Sequence, residues 1–259
     1  MLLAADVGNT DTVFAVHDSS AWRGSWRTAT RARCTADDLG PWLHQVLAHA
    51  GLDPAAVTGA AVASVVPGVT PVIREMAARY LGVSPLVVTS DVMTGGVAIR
   101  LPRPEQLGPD RLANAVAGHA AYGGPLVVVD LGTAVTFDVV GADGAYEGGV
   151  IAPGIEAGLR ALGSTAALPR IEPRRPESVL GRDTVGAMES GVFWGYGALI
   201  DGIVDRLAAT LTHAPGVVAT GGLAPTIAPA SARIEHVDPM LTLDGVRHIH
   251  TLTTSPATQ

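Results

Sequence analysis

The sequence predicts an α/β protein made of two domains of similar build. A short pattern, D-x-G-[NT]-[TA], occurs twice, as DVGNT at residues 6–10 and as DLGTA at 130–134. Each copy follows an apolar run, MLLAA or LVVV, of the kind that forms a buried strand. The second copy starts near the middle of the 259-residue chain, which favours two related halves.

In the first half, the turn at 6–10 is flanked by predicted strands at 2–5 and 12–17, a hairpin-like start. A helix over 35–51 is indicated by Thr35 as its cap, acidic residues in its first turn and Gly51 as its stop. The remaining predicted elements are a buried strand at 60–66, a helix at 69–81, a short strand at 86–88, a proline-rich loop at 101–109 and a helix from Asp110 to Tyr122.

In the second half, strands at 126–130 and 135–140 flank the second turn, and a hairpin at 143–144 leads to a strand at 146–151. A Pro-Gly pair at 153–154 opens a helix to about residue 162. A long helical pattern covers 184–211, and a strand followed by a glycine turn covers 217–222.

Both D-x-G turns lead into a strand rather than a helix, which argues against P-loop and dinucleotide-binding folds. Strand–turn–strand units repeated in two α/β halves predict two RNase-H-like domains, the actin-like ATPase and sugar-kinase architecture, with the nucleotide cleft between them. We place the boundary near residue 115, which gives an N-terminal domain of residues 1–115 and a C-terminal domain of 116–259.

Composition narrows the class of protein further. A net charge of −7 argues against a chain that follows nucleic-acid backbones. The single cysteine, Cys34, excludes an internal disulfide and a CxxC metal site. The chain start lacks a basic region before a long apolar run, and no 18 consecutive residues are apolar. These features predict a cytoplasmic protein with a small-molecule partner, bound neither to nucleic acid nor to a membrane.

Asp6 and Asp130 are the first candidates for chemistry. An aspartate at the end of a buried strand can hold a cation, and the following glycine lets the backbone approach a phosphate. A single D-x-G is most simply a turn cap, but two copies after apolar strands favour a phosphate clamp for a nucleotide.

Asp110 and Arg111, in GPDR at 108–111, could supply an acceptor site, with a carboxylate acting on a hydroxyl and an arginine holding an anionic substrate. The simpler alternative is that Asp110 caps the helix. The Gly221–Gly222 turn could lie against an adenine or ribose, although a close helix–strand contact is the simpler explanation. Asp183 and Thr184 are predicted to form a cap pair, and His248 and His250 are expected to be exposed. No Ser-His-Asp arrangement or zinc site is predicted.

The chain also resembles the type III pantothenate kinase family along nearly its whole length. The matching segments include LLAADVGNTDTVFAV at 2–16, WRTAT at 26–30, ASVVP at 63–67, GPDRLANAVAG at 108–118, VVDLGTAVTFDVV at 128–140, GGVIAPGI at 148–155, TVGAMESGVFWGYGALIDGIV at 184–204, ATGGLA at 219–224 and DPMLTLDGV at 238–246. Their order and spacing match too.

The resemblance implies a homodimeric, actin-like kinase that uses ATP, Mg²⁺ and K⁺ or NH₄⁺ to phosphorylate the primary hydroxyl of pantothenate, the first step of coenzyme A biosynthesis. Its implied site residues fall into four groups. Asp110 is the catalytic carboxylate, and Gly108, Arg111 and Leu101 belong to the acceptor site together with Thr184 from the partner subunit. Asp6, Gly8, Asn9, Thr10, Gly132 and Thr133 bind phosphates, with Mg²⁺ on Asp6 through water and the monovalent cation on Asp130. Gly221 and Gly222 lie near adenosine.

One departure from the family concerns the acceptor. Where the family usually has Tyr-x-Asn-Pro, this chain has Leu101, Pro102, Arg103 and Pro104. The change removes an aromatic hydroxyl and an amide and adds a cation, so hydrogen-bonding capacity changes as well as size. Two alternatives therefore remain: a related kinase that phosphorylates another small molecule, such as a nucleoside or natural-product intermediate, and a catalytically inactive ligand-binding or regulatory relative.

Overall fold

The computed structural model describes residues 1–91, 97–165 and 168–254, which form two compact units. The first unit lies within Met1–Val97, Pro102–Ala117 and the segment from Thr242 onward. The second comprises Ala98–Leu101 and Gly118–Leu241. The last segment, from Thr242 onward, thus belongs to the first unit, whereas a single boundary near residue 115 would place it in the second. That domain boundary stays a prediction.

Ten strands and seven α-helices are defined within the described ranges. The strands are β1 (Leu2–Val7), β2 (Asp11–His17), β3 (Trp22–Ala29), β4 (Gly59–Ser64), β5 (Leu86–Val87), β6 (Leu126–Leu131), β7 (Ala134–Val140), β8 (Tyr146–Pro153), β9 (Gly216–Thr220) and β10 (His236–Val237). The helices are α1 (Ala36–His49), α2 (Thr70–Met76), α3 (Pro109–Tyr122), α4 (Ile155–Thr165), α5 (Thr184–Ala208), α6 (Ala224–Ile227) and α7 (Leu241–Thr254).

The two units contain sheets of the same topology. The first sheet has the order β3-β2-β1-β4-β5 and the second β8-β7-β6-β9-β10. In each, three antiparallel strands are joined by hairpins, and the remaining two strands run parallel to the first strand of the unit. This repeated mixed sheet confirms the predicted fold class, two RNase-H-like domains of the actin-like ATPase type.

The first strand of each unit is buried on both faces, which explains its continuous apolar sequence. In β6, Leu126, Val127, Val128 and Val129 are all buried, and helices cover the sheet. In the first unit, Phe14 and Leu3 pack with Leu43 and Leu47 of α1. Full burial of one such side chain contributes about 1.5–3 kcal/mol before entropy is counted.

Local signals placed most helix ends correctly. Thr35 forms the predicted cap of α1: its Oγ1 accepts from the Asp38 amide at 3.2 Å, and the Asp38 carboxylate accepts from the Thr35 amide at 2.8 Å. The helix ends at His49, and Gly51 follows it with φ +71°, a left-handed conformation that glycine adopts readily. The helix predicted at 69–81 is α-helical only to Met76 and continues as a π-helical turn over Ala77–Leu81.

Strand β3 has no counterpart among the predicted elements. Its sequence, WRGSWRTA, alternates half-buried and exposed residues and contains two arginines and a glycine. It lies at the edge of the first sheet, where only one neighbour, β2, covers its backbone. A strand of this kind has no continuous apolar run by which it could be recognised.

Among the described residues, no helix is long and apolar enough to span a bilayer.

Candidate active site

The first D-x-G turn connects β1 and β2. The Gly8 amide donates to the Asp11 carbonyl at 2.9 Å and closes the turn, while Asn9 and Thr10 are exposed. A β-carbon at Gly8 would lie 3.1 Å from the same carbonyl oxygen, so a larger residue would strain the turn. Asp6 precedes the turn as the penultimate residue of β1 and is partly buried. The turn can present backbone and hydroxyl donors to an anion at the strand's carboxyl end.

The second turn lies at the equivalent place in the other unit but closes one residue earlier. The Gly132 amide donates to the Ala134 carbonyl at 3.1 Å, and Thr133 is exposed. Asp130 is the penultimate residue of β6, as Asp6 is of β1. The strand–turn–strand prediction is therefore correct for both copies of the motif.

The structure brings Asp130 and the Gly221–Gly222 turn together, although they lie about 90 residues apart in the sequence. Asp130 pairs with Thr220 because β6 and β9 are parallel neighbours. Gly221 has φ +91°, and a β-carbon there would lie 2.5 Å from Oδ1 of Asp130. The glycine therefore serves both a left-handed backbone conformation and a close approach to the carboxylate.

Gly154 is a residue of this region that the sequence analysis missed. A β-carbon on Gly154 would overlap the carbonyl oxygen of Thr133, so the chain between β8 and α4 packs directly on the second turn. Its signal was the Pro-Gly pair at 153–154, which we interpreted only as a helix start. The close approach depends on a contact between distant parts of the chain.

Asp110 lies in the first turn of α3 and is partly buried. The Leu112 amide bonds to the Gly108 carbonyl at 3.0 Å, so the helix starts before Asp110 and the alternative that Asp110 caps it is wrong. Its Oδ1 accepts a hydrogen bond from the Arg111 amide at 2.8 Å. Burial raises the pKa of the Asp110 carboxyl; the Arg111 amide and the Arg111 charge act in the opposite direction. A carboxylate in this setting is a stronger base than an exposed one.

A cavity of about 600 Å³ opens in the same unit as Asp110. It is lined by Ser64, Pro67, Thr70, Pro71 and Arg74. Ser64 ends β4 and pairs with Val7, the residue before Gly8. The cavity thus lies at the carboxyl end of a parallel strand, where α/β folds bind their ligands. It is wide open to solvent, and its lining includes two hydroxyls and a cation.

The other predicted acceptor residues lie in the second unit. Thr184 is the exposed first residue of α5, and Asp183 caps that helix by accepting from the Gly186 amide at 2.7 Å, which confirms the cap pair. Leu101 is partly buried and follows Arg100. The Arg100 amide donates to the Tyr146 carbonyl at 2.9 Å, and its guanidinium pairs with Asp143 and Glu147. These contacts attach the start of the 101–104 loop to β8.

The expectation that His248 and His250 are exposed is wrong. Both lie inside α7 and are partly buried, and burial lowers the pKa of each imidazole. Ile249, between the two histidines, is buried in the core. The HxH spacing also suits a strand, so it did not reveal the helix.

Within the described ranges, no group of three or more His, Cys, Asp or Glu side chains is arranged to hold a metal ion. Magnesium in nucleotide sites needs no such group, because one or two carboxylates, water and the phosphates complete its shell. Asp6, beside the first D-x-G turn, fits that kind of site.

Comparison with known proteins identifies relatives of this chain. The family model for type III pantothenate kinase matches residues 2–206. A type III pantothenate kinase from Paramagnetospirillum magneticum is 49% identical over 257 residues, 99% of each chain. One from Acidiphilium cryptum is 48% identical over 248 residues, covering 95% of this chain and 93% of the relative. Among solved structures, a candidate 2-dehydro-3-deoxygalactonokinase from Sinorhizobium meliloti aligns with a TM-score of 0.62 at 15% identity, covering 100% of this chain and 99% of that one.

Proposed function

The chain belongs to the type III pantothenate kinase family, and we propose that it transfers the γ-phosphoryl group of ATP to the primary hydroxyl of pantothenate. This is the first step of coenzyme A biosynthesis. The near-full-length similarity to such kinases carries the proposal. The two D-x-G turns, which suit phosphate binding, and the partly buried Asp110, which suits a base, also support the proposal.

Asp110 is the residue we assign to the acceptor hydroxyl. Phosphoryl transfer requires an acceptor oxygen held in line with the phosphorus, and a carboxylate can orient that hydroxyl and take its proton. The raised pKa of Asp110 suits this role, because a stronger base accepts the proton more readily. Gly108 leaves room for the carboxylate, and Arg111 beside it provides a cation for the anionic substrate.

The phosphates of ATP are assigned to the two turns. Asp6, Gly8, Asn9 and Thr10 contribute from the first unit and Gly132 and Thr133 from the second. Mg²⁺ bound through water to Asp6 would neutralise charge on the phosphates, and Asp130 would hold K⁺ or NH₄⁺. Gly221 and Gly222 would lie near adenosine.

The cavity that includes Ser64 and Arg74 offers space for the acceptor on the same unit as Asp110. We further propose a homodimer in which Thr184 and Leu101 take part in acceptor binding, Thr184 reaching the partner subunit's site. Because the reaction consumes ATP, we place it in the cytoplasm.

A second candidate is a kinase for another primary alcohol, such as a nucleoside. The observation in its favour is the Leu-Pro-Arg-Pro sequence at 101–104, where Arg103 is exposed and Leu101 partly buried. This segment replaces hydroxyl and amide groups with an apolar side chain and a cation, while the phosphate turns keep the family pattern. The change would alter the acceptor and leave the phosphoryl donor the same.

An acceptor screen tests both candidates. Purified protein with MgATP and KCl is incubated with pantothenate or with each member of a nucleoside panel, and products are identified by their mass shift. The Asp110→Asn variant serves as the control for contaminating kinases. Phosphopantothenate formed by the wild type and absent with the variant is the expected result. A phosphorylated nucleoside without phosphopantothenate would favour the second candidate, and no product at all would favour an inactive relative.

A further inference from the structure

Thr30 binds both ends of the first D-x-G turn. It follows β3 directly, and its side-chain Oγ1 donates to the Gly8 carbonyl at 2.7 Å. Its backbone amide donates to the Thr10 carbonyl at 2.8 Å. A single residue that follows the edge strand therefore fixes the carbonyls at the start and at the end of residues 8–10.

The Thr30 hydroxyl is itself held in place by Thr12. The two Oγ1 atoms lie 2.8 Å apart, and Thr12 is only 3% exposed. Each hydroxyl has one proton, and that of Thr30 goes to the Gly8 carbonyl. Thr12 must then donate to Thr30, which gives a directed chain from Thr12 through Thr30 to Gly8. Such a chain leaves the Thr30 hydroxyl little freedom to rotate.

We propose that Thr30 is a positioning residue that holds the first turn in the conformation that receives the nucleotide phosphates. The inference rests on the proposed function for its assignment of this turn to ATP. Binding through backbone donors is strong only if those donors already point at the ligand, because ordering a loose turn costs free energy on binding. A turn with a glycine at its start and exposed residues at 9 and 10 gains most from an external brace.

The second turn has a different contact at the corresponding place. There the backbone at Gly154 packs on the Thr133 carbonyl. The two halves share their sheet topology but use different supports for equivalent turns. A loss of the Thr30 hydroxyl should therefore affect the first turn and leave the second unchanged.

Thr30→Val removes the hydroxyl at nearly constant shape, and Thr30→Ser restores it. Thr28→Val is the matched control, because Thr28 lies on β3 two residues before Thr30 and pairs with Thr12 across the sheet. The affinity for MgATP is measured by isothermal titration calorimetry, together with kcat and both KM values. We expect Thr30→Val to weaken MgATP binding about tenfold, with the KM for the acceptor within twofold of wild type. Thr30→Ser and Thr28→Val should bind MgATP within twofold of wild type.

Equal MgATP affinity of Thr30→Val and wild type would overturn the proposal, as would equal losses in Thr30→Val and Thr30→Ser. If the valine variant does not fold, Thr30→Ala replaces it, since alanine and serine differ only by the hydroxyl. A wild type that binds MgATP without phosphorylating pantothenate contradicts the proposed acceptor and leaves the test of Thr30 intact. A wild type that binds no MgATP overturns both assignments.

Discussion

The carboxylate of Asp110 lies against Gly108: a β-carbon at position 108 would come within 2.5 Å of Oδ1 of Asp110. The same oxygen accepts the Arg111 amide at 2.8 Å. Gly108 and Arg111, which come before and after Asp110 in the sequence, therefore set the orientation of the proposed base. This orientation depends on the absence of a side chain at position 108.

Gly108→Ala should lower kcat about 100-fold, because the methyl group has to displace the carboxylate, and a shift of about 1 Å costs about two orders of magnitude in rate. The KM for ATP should stay within threefold of wild type, since the phosphate turns are not touched. Steady-state kinetics check both values. Gly163→Ala is the control, because a β-carbon there meets no atom within 4 Å. Unchanged kcat in Gly108→Ala would contradict the role given to Asp110.

The pH profile should report the ionisation of Asp110. Burial raises its pKa, so the carboxylate needed as a base is protonated at higher pH than an ordinary aspartate, whose pKa is about 4. We expect kcat/KM to fall as the pH is lowered, with its midpoint above that value. A profile flat down to pH 4 would exclude Asp110 as the base.

Asp110→Asn is the control for that profile and should lose about 10²–10⁴-fold in kcat. Because its pKa is raised in the folded state, the protonated Asp110 carboxyl stabilises the fold at low pH and the ionised carboxylate opposes folding. The stabilisation is lost as the pH rises through the folded-state pKa. Asparagine has no ionised form. The variant should therefore unfold at pH 7 at a temperature no lower than wild type, as differential scanning calorimetry can check.

Gly221→Ala should raise the KM for ATP at least tenfold. The substitution forces a β-carbon towards Asp130 and the Leu131 backbone and places alanine at φ +91°, a region that costs non-glycine residues about 1–2 kcal/mol. Gly51→Ala separates the two effects, because Gly51 has φ +71° but no atom within 4 Å of a β-carbon. It should lose stability and keep the wild-type KM. A KM for ATP in Gly221→Ala equal to that of Gly51→Ala and wild type would contradict a role for Gly221 in ATP binding.

The proposed monovalent cation predicts a dependence on potassium. Replacing K⁺ and NH₄⁺ by Na⁺ at constant ionic strength should lower kcat/KM at least tenfold, because the carboxylate site at Asp130 would hold the smaller ion with a different shell. Asp130→Asn should lose most of the response to K⁺. Activity that is the same in Na⁺ and K⁺ would remove this role from Asp130.

The proposed sharing of sites between subunits can be tested by mixing inactive variants. Thr184→Ala and Asp110→Asn each damage every site of their own homodimer. If Thr184 serves the partner's site, a mixed dimer contains one site with both residues intact. Activity after subunit exchange should then exceed that of either variant, up to about half of the wild-type value in the mixed dimers. No gain after exchange, verified by native mass spectrometry, would argue against a shared site.

Much of the fold follows from local sequence patterns. The apolar runs before Asp6 and Asp130, the turns after them and the capping box at Thr35 each act within a few residues, so they could be recognised without the fold. The same holds for the two D-x-G turns and for Asp110 as members of the candidate site. A repeated local pattern was sufficient to predict a repeated supersecondary unit.

The tertiary structure alone decided how distant segments meet. The approach of Gly221 to Asp130 and of Gly154 to Thr133, the brace from Thr30 and the return of α7 to the first unit all join residues far apart in sequence. The edge strand β3 is stabilised by its pairing with β2, since its own residues are not strongly apolar. Local propensity and hydrophobic period specify elements, whereas the pairing of strands and the close packing of backbones depend on the free energy of the whole fold.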